Sequence, residues 1–345
     1  MNIGLITFHW ATNHGAILQT WATVRYLESL GHKVSVIDYY PPALKTSLKS
    51  ALRPSRHWLS QWKTWRKEKK LAVFRDRLPL TEHFSSLNEL GHASLSFDAV
   101  LCGSDQIWNY HFLTRGEGRP TPAYFLPFVP DETKKIALAV SFGCESYPEN
   151  AAALAAPLID RFFRVSVREK SGLSILRSMG QSGVLVADPV SLIPAGDLKQ
   201  FCCCEAPSSF TATCILRSQP KAVKRRIRAL LRREGHPVRD LSLLSMEDWI
   251  SGICHAETVV TNSFHCTLMC LKLHTPFYVL TEEGALSGMN DRLVSLLSRF
   301  GLTDRIVSSD SMPTPSPIFW EAVDEAMEQY SATLKNFIHE ALMNE

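Results

Sequence analysis

The apolar positions of the chain fall into short continuous runs and into longer segments in which they recur every third or fourth residue. The run from Ile3 to Phe8 predicts a buried strand, and the recurrence from Ile17 to Leu30 predicts a helix that ends at Gly31. The run from Lys33 to Asp38 predicts the next strand. The first forty residues therefore predict one βαβ unit with a right-handed crossover.

This alternation continues to about residue 190 and begins again near residue 212. The stretch between the two blocks, at 195–210, is rich in proline, cysteine and serine, which is typical of a domain boundary. We therefore predict a domain over 1–200, a second over 205–315 and a C-terminal helix within 316–345. Two such blocks predict an α/β fold of two Rossmann-like, doubly wound domains that face each other across a cleft.

A basic insertion at about 45–80 interrupts the first domain. Eleven Lys and Arg residues stand against two acidic residues between positions 45 and 77, so the segment carries +9 while the whole chain carries +3. One basic segment on an acidic remainder excludes a uniformly basic nucleic-acid-binding protein. Trp58, Trp62 and Trp65 lie on one face of a predicted helix. We expect this face to pack on the first domain, and peripheral contact with a membrane is the alternative.

The composition of the 345 residues, 45% hydrophobic and 21% charged, excludes a disordered protein. No apolar run reaches the ~18 residues of a membrane span, and the first residues lack the features of a signal peptide. The nine cysteines contain no Cys-x-x-Cys pair, which excludes a zinc ribbon and predicts free thiols. We expect a cytoplasmic protein without a metal ion or a cofactor.

Polar residues follow several predicted strands, where doubly wound sheets bind ligands. Asn13 and Gly15 join the first strand to the first helix, whose N-terminal amides suit an anion. A tight turn without a ligand is the alternative. Arg168 directly follows another apolar strand, where its guanidinium suits a phosphate or a carboxylate. An ion pair with a local carboxylate such as Glu169 is the alternative.

A polar segment follows the strand predicted at 99–102. Its candidate ligands for sugar hydroxyl groups are Ser104, Asp105, Gln106 and Asn109. Trp108 suits the face of a sugar ring, and Asp105 suits a general base. A polar loop in which Asp105 caps a helix is the alternative.

The most informative segment, Asn262 to His265, leaves an apolar strand and opens a helix. Asn262 and Ser263 are good N-caps, and the amides of Phe264 and His265 would then suit an anion. A histidine in this first turn can bind the anion or exchange a proton with it, whereas a structural histidine is the alternative. Arg292 begins a further predicted helix and can add a second cation; a capped surface helix is the alternative there.

Together these motifs resemble the polysaccharide pyruvyl transferase family. The blocks that carry the resemblance, in order, are Thr7-Phe8-His9 with Asn13 to Gln19, Phe97-Asp98 with Gly103 to Asn109, Ser166 to Glu169 with Asp188-Pro189, Val260 to His265, and Asn290-Asp291-Arg292 with Gly301-Leu302. They extend from about residue 3 to 306. Five blocks in the same order are far more specific than any one of them.

The resemblance implies a GT-B-like pair of domains and a transferase whose donor substrate is phosphoenolpyruvate. The enolpyruvyl group is transferred to two hydroxyls of one sugar, which gives a cyclic pyruvate ketal and phosphate. The family's phosphoenolpyruvate-binding arginine falls on Arg168 and its second-domain histidine on His265. We assign His265 as general acid or phosphate ligand and Asp105 as base or hydroxyl-positioning group.

The chain also departs from the family pattern. Ser263 stands where characterised members tend to have arginine, and Cys266 stands where glycine is usual. Arg292 can supply the missing cation.

The resemblance implies an acceptor that is a sugar of a polysaccharide or of a lipid-linked glycan at the inner membrane face. It leaves the identity of the sugar and the oligomeric state open. Two alternatives are a GT-B glycosyltransferase that uses a nucleotide sugar and a non-enzymatic adaptor built on the basic helix.

Overall fold

The chain divides into two units, Met1–Leu192 together with Tyr330–Glu345, and Ile193–Gln329. The computed structural model describes residues 1–40, 58–110, 122–202, 210–215, 221–233, 237–281, 290–307 and 316–343. Each unit has its own parallel sheet with helices in the connections. The predicted fold class, α/β with two doubly wound sheets and a C-terminal helix, is confirmed.

The sheet of the first unit has seven described strands, and all neighbours pair in parallel. The strands are β1 (Asn2–Ile6), β2 (Lys33–Tyr39), β3 (Leu80–Phe84), β4 (Ala99–Cys102), β5 (Lys134–Val140), β6 (Arg164–Val167) and β7 (Val184–Leu185). Their order across the sheet is β3-β2-β1-β4-β5-β6-β7. The order reverses between β1 and β4, so the crevice in which such sheets bind ligands lies at the carboxyl ends of these two strands.

Helices cover this sheet, which explains why its inner strands are buried on both faces: Ile3, Leu5 and Ile6 are fully buried. The described helices are α1 (His14–Ser29), α2 (Trp58–Arg75), α3 (Leu87–His92), α4 (Glu149–Ile159) and α5 (Lys170–Ser178). α1 begins at His14, before Ile17, the first of the regularly spaced apolar residues that predicted this helix. The reason is that Asn13 is the N-cap and its side chain accepts a hydrogen bond from the amide of Gly15 at 2.9 Å.

Helix α2 is the predicted basic helix, but its tryptophan face is more exposed than expected. Trp58 is 52% exposed and Leu59 is 53% exposed, whereas Leu71 and Phe74, in the C-terminal half, are the buried residues of the helix. The expectation that the tryptophan face packs on the first domain is therefore wrong for Trp58, whereas Trp62 and Trp65 are half-buried. The C-terminal half of the helix supplies its fully buried residues. The preceding part of the insertion, 41–57, lies outside the described residues.

The sheet of the second unit has five described strands in the order β12-β11-β10-β8-β9. These are β8 (Thr211–Cys214), β9 (Val238–Asp240), β10 (Thr258–Thr261), β11 (Phe277–Leu280) and β12 (Ile306–Val307). The helices are α6 (Ala195–Lys199), α7 (Lys221–Arg233), α8 (Met246–Cys254), α9 (Phe264–Leu273) and α10 (Asn290–Arg299). The order reverses between β8 and β10, which puts the expected binding crevice at the carboxyl ends of those strands.

The observed boundary at Leu192 and Ile193 lies just before the predicted 195–210, because α6 packs on α8 and α9 of the second unit. The C-terminal helix, α11 (Trp320–Met343), begins in the second unit and ends in the first. Two hydrogen bonds attach its second half to the first unit. The Tyr330 hydroxyl accepts from the amide of Asp188 at 3.1 Å, and Thr333 Oγ1 accepts from Ala187 at 3.0 Å. The helix predicted within 316–345 is thus present, and its two halves belong to different units.

None of the described helices is long and apolar enough to cross a membrane. The described cysteines are all free, as predicted: Cys102, Cys144, Cys202, Cys214, Cys254, Cys266 and Cys270. Cys203 and Cys204 lie outside the described residues.

Candidate functional site

The loop that follows β4 is fixed against the end of β5. The Gly103 amide donates to the carbonyl of Ile6 at 3.0 Å, and a Cβ at Gly103 would lie 2.2 Å from the Leu138 carbonyl oxygen. Only glycine fits that approach. Asp105 has φ of 72°, in the left-handed region, and its carbonyl accepts from the amide of Ser141 at 2.9 Å. The loop is therefore held by the strands on both sides of it.

Ser104 is buried within this loop and does not present its side chain as a ligand. Its hydroxyl donates to the Ala139 carbonyl at 2.7 Å. Its amide donates to Gln19 Oε1 at 3.0 Å, and its carbonyl accepts from Thr7 Oγ1 at 3.0 Å. Ser104 thus connects β5 and α1 to the end of β1, which differs from the substrate contact that the sequence suggested.

Arg168 lies at the end of β6 and is enclosed by three carboxylates of the same unit. Its guanidinium contacts Asp188 at 2.6 Å, Asp105 at 3.1 Å and Glu169 at 3.8 Å, and its side chain is 0% exposed. Burial disfavours the charged guanidinium, but the nearby carboxylates outweigh this effect and raise the pKa of Arg168 above its ordinary value. The predicted alternative of an ion pair with Glu169 is present, and two further carboxylates join it.

Backbone amides hold the three carboxylates in place. Glu169 accepts from the amide of Phe142 at 2.9 Å, Asp188 from that of Val190 at 3.0 Å, and Asp105 from that of Gln106 at 2.8 Å. Because the side chain of Arg168 has no exposed surface, a phosphate could reach it only by displacing a carboxylate. The geometry therefore supports a positioning role for Arg168, in which it orients Asp105, whose side chain is 14% exposed.

Two amide side chains lie beside Asp105. Asn109 Nδ2 donates to Gln106 Oε1 at 3.0 Å, and a Cβ at Gly143 would lie 2.4 Å from that oxygen. The loops after β4 and β5 therefore meet at Gln106 and Asn109. Trp108 points the other way: it is fully buried, its ring stacks on Phe125, and its Nε1 donates to the Tyr124 carbonyl. The suggestion that Trp108 stacks on a sugar ring is wrong, because the ring fills the core.

In the second unit, the segment after β10 forms the N-terminus of α9 as predicted. Ser263 is the N-cap, and its Oγ accepts from the amide of Cys266 at 3.4 Å. Thr261 Oγ1 accepts from the Ser263 amide at 3.0 Å and donates to the Cys214 carbonyl at 2.7 Å, which ties the ends of β8 and β10 together. The switch point of this sheet therefore carries the Asn262 to His265 segment.

All ten residues of α9 are buried, including the two at its start. His265 is 6% exposed, Phe264 is 7% exposed, and their rings meet edge to face at 5.4 Å. Arg292 lies in the first turn of α10, which packs on α9, and it is 9% exposed. Asp291 lies in the first turn and Val294 is 39% exposed, as the alternative of a surface helix expects, but the Arg292 side chain itself is buried. A histidine and an arginine thus occupy the first turns of two neighbouring helices.

The sequence analysis did not select Asp188, Glu169 or Asp38 as site residues. Asp188 and Glu169 each follow a strand, and Asp38 lies near the end of β2, which is the signal that would have found them. What the sequence does not contain is the pairing of these acids with a particular cation.

Comparison with known proteins gives one family. The sequence model described as polysaccharide pyruvyl transferase matches residues 13–284. No curated protein shows a significant match. The chain is similar to a solved Klebsiella pneumoniae protein, KP1_0663, described as functionally uncharacterised, at 13% identity over 84% of this chain and 96% of that chain, with a TM-score of 0.40.

Two further solved structures are similar at the same low level. A UDP-GlcNAc 2-epimerase from Neisseria meningitidis is 11% identical over 99% of this chain and 94% of that chain, with a TM-score of 0.48. The Escherichia coli heptosyltransferase WaaC is 12% identical over 95% and 99%, with a TM-score of 0.36. The family model spans well over half of the residues and includes strands of both sheets, and by this match the chain belongs to the polysaccharide pyruvyl transferase family, a family of transferases.

Proposed function

We propose that the protein is a cytoplasmic enzyme that transfers the enolpyruvyl group of phosphoenolpyruvate to a sugar of a polysaccharide or lipid-linked glycan precursor. The products are a cyclic pyruvate ketal and phosphate. The observation that carries this proposal is the family match over 13–284, which includes every candidate site residue except Arg292. Phosphoenolpyruvate is consumed as a substrate, so the reaction needs no bound cofactor.

The donor carries a phosphate and a carboxylate, and the second unit offers groups that suit them. His265 and Arg292 are both more than nine-tenths buried in the first turns of α9 and α10. Helix N-termini favour anions, and a buried cation strengthens that preference. We assign donor binding to these two side chains together with the Asn262-Ser263-Phe264 turn. Arg292 then compensates for Ser263, which replaces the arginine of characterised members.

The first unit offers groups that suit the acceptor. Asp105, Gln106 and Asn109 supply acceptors and donors for hydroxyl groups, and Asn13 and Gly15 begin α1 on the neighbouring strand. Asp105 is paired with Arg168 at 3.1 Å, which fixes its carboxylate in place and favours its role in positioning a hydroxyl. His265 is assigned as the acid that protonates the C3 carbon while positive charge develops at C2.

The test is a phosphate-release assay with phosphoenolpyruvate and a panel of sugar acceptors. We expect release that requires both substrates and that falls by about 100-fold or more in His265→Gln. The matched control is His255→Gln, since that half-buried histidine follows α8 in the same unit. Absence of release with every acceptor would overturn the proposal. Thermal protection by nucleotide sugars and not by phosphoenolpyruvate would favour a glycosyltransferase instead.

Helix α2 supports a further part of the proposal, peripheral contact with an anionic membrane that holds a lipid-linked acceptor. Trp58 and Leu59 are exposed beside a run of lysines and arginines, which suits an interface with anionic lipid. Two contacts tie α2 to the loop after β1. Glu68 accepts from Thr12 Oγ1 at 2.6 Å, and Arg75 donates to the Trp10 carbonyl at 2.8 Å.

Sedimentation with vesicles of phosphatidylglycerol and phosphatidylcholine tests this contact. We expect binding at low salt that weakens as salt rises, and that is lost in the double variant Trp58→Ala, Leu59→Ala. Leu154→Ala is the matched control, since Leu154 is 59% exposed on α4 of the same unit. No sedimentation of the wild-type protein at low salt would remove membrane contact from the proposal and leave the reaction untouched.

A further inference from the structure

A second cluster of titratable side chains lies at the carboxyl ends of β1, β2 and β3, apart from the Arg168 cluster. Asp38, near the end of β2, contacts two imidazoles: His9 Nε2 at 2.8 Å and His83 Nδ1 at 3.3 Å. His9 follows β1 and is 1% exposed, whereas the side chain of His83, on β3, is 39% exposed. One carboxylate therefore links a buried histidine to a surface histidine.

A β-bulge aligns this cluster. Val36 pairs with Leu80, but Asp38 pairs with His83, so β3 has one more residue than β2 between the two pairs. The Asp38 amide donates to Thr81 Oγ1 at 3.0 Å inside the bulge. Bulges redirect side chains and are frequent beside active sites. Here the bulge brings the carboxylate of one strand opposite the imidazole of the next.

The hydrogen bonds show what each ring nitrogen faces. His9 Nδ1 lies 3.2 Å from the Thr7 carbonyl, and its Nε2 lies 2.8 Å from the Asp38 carboxylate. His83 Nδ1 faces two acceptors of the same residue, the Asp38 carboxylate at 3.3 Å and the Asp38 backbone carbonyl at 3.2 Å. His83 Nδ1 therefore carries the proton, and in the neutral ring the lone pair is on Nε2.

This arrangement matches the way in which a carboxylate prepares a histidine to act as a base. The carboxylate fixes the tautomer and the ring orientation, and it stabilises the imidazolium that forms when Nε2 takes up a proton. His9, in the loop after β1, also contacts Asp38, so this carboxylate has a second partner besides His83. Among the described residues, no group of three His, Cys, Asp or Glu side chains is placed to hold a metal ion.

Aromatic rings extend from His83 across the same edge of the sheet. The Tyr40 ring lies 4.3 Å from that of His83 and 6.0 Å from that of Trp10, and Tyr40 and Trp10 are both half-buried. Trp10 is fixed by a hydrogen bond from its Nε1 to the Tyr124 hydroxyl at 3.1 Å. A row of partly exposed rings, tilted by 35° and 41° to their neighbours, offers an apolar surface with polar edges, which suits the C–H face of a pyranose.

We infer that Trp10, Tyr40 and His83 bind the acceptor glycan in addition to the Asp105 loop, and that His83 Nε2 is the base for the acceptor hydroxyl. This inference rests on the proposed function. The hydroxyl O–H bond breaks, its proton passes to Nε2, and its oxygen forms a bond to C2 of the enolpyruvyl group while the C2–C3 π pair takes a proton at C3. The C2–O bond to phosphate then breaks, and the phosphate leaves with the bonding pair. The second hydroxyl oxygen forms a bond to C2 and completes the ketal, while its proton passes to the departing phosphate.

The charges around His83 determine the expected pH dependence. Asp38 faces it from β2, with His9 behind Asp38, and Glu89 of α3 lies within electrostatic range. A base must be unprotonated to accept the hydroxyl proton. The wild-type kcat should therefore fall on the acid side, and this limb should be absent without His83.

Kinetics with phosphoenolpyruvate and an active sugar test the base. For His83→Gln we expect kcat to fall by about 100-fold or more, an unchanged KM for phosphoenolpyruvate and no acid limb in the kcat profile. Asp38→Asn should also lower kcat, since the tautomer is no longer fixed. His92→Gln, at an exposed histidine of α3, is the matched control. Wild-type kcat and pH profile in His83→Gln would overturn the inference while the proposed function stands.

A binding measurement separates this inference from the proposed reaction. Saturation-transfer NMR with a panel of methyl hexopyranosides should show binding to the wild-type protein that is lost in Tyr40→Ala and weakened in His83→Gln. If the wild-type protein binds these glycosides in this way but releases no phosphate, the proposed function fails and the sugar site stands. If no glycoside binds, or if binding survives in Tyr40→Ala, the sugar site is wrong.

Discussion

Replacement of Arg168 by alanine separates two roles for this residue. A cation that only binds the donor can be removed at little cost to the fold. A cation that neutralises buried carboxylates cannot, because Asp188 and Glu169 have side chains 0% and 1% exposed and would lose their counter-ion. The contacts of Arg168 at 2.6 Å to Asp188 and 3.1 Å to Asp105 fit a cation that neutralises buried carboxylates.

The expected cost follows from that burial. Removal of one partner of a buried ion pair typically costs about 3–5 kcal/mol, since a charge is left uncompensated. For a unit of this size each kcal/mol lowers the melting temperature by about 2–4 °C, so we expect Arg168→Ala to lower it by about 6–20 °C. The loss should shrink as the pH falls, because protonation then neutralises the orphaned carboxylates.

Scanning calorimetry on purified variants measures this effect and separates the units where they unfold independently. Arg177→Ala, at an exposed arginine of α5, is the matched control and should melt like the wild-type protein. The double variant Arg168→Ala, Asp188→Asn should recover part of the loss, since it removes one of the orphaned charges. Melting of Arg168→Ala within about 2 °C of wild type, with a raised KM for phosphoenolpyruvate, would refute the positioning role and restore direct donor binding.

Three other outcomes are expected from the same structure. Gly103→Ala should lower the free energy of unfolding in urea by about 3 kcal/mol or more, since its Cβ would meet the Leu138 carbonyl and its φ is 124°. Gly196→Ala is the control and should be neutral, because no atom lies within 4 Å of the added Cβ. Equal urea midpoints for the two variants would contradict this. Burial raises the pKa of Asp38, but His9 and His83 outweigh it and lower that pKa below its usual 3.8, so the resulting stability is present above pH 3.8 and lost as the pH falls through the folded value. Acid unfolding should therefore begin at a higher pH in Asp38→Asn than in Asp76→Asn, and identical curves would refute the linkage. Trp108→Leu should lower the melting temperature of the first unit and leave the KM for the sugar acceptor unchanged; a raised KM with wild-type stability would return Trp108 to the binding surface.

Local chemistry in the sequence determined much of the fold. The apolar runs and helical recurrences predicted two α/β blocks, and Ser263 indicated a helix start that the structure has. These features depend on residues a few positions apart, so a single sequence contains them. For the same reason the sequence could indicate that polar segments follow buried strands, which is where both the 103–109 loop and the 262–265 turn lie.

The tertiary structure decided what those polar residues touch. Arg168 pairs with Asp105, 63 positions before it, and with Asp188, 20 positions after it, because the strand order brings the ends of β4, β6 and β7 to one edge of the sheet. Ser104 and Trp108 point into the interior for the same reason, and the bulge between β2 and β3 brings Asp38 to His83. Periodicity specifies strands and helices but not strand order or register. The partners of each charge, and the side chains left for a substrate, follow only from the packed sheet.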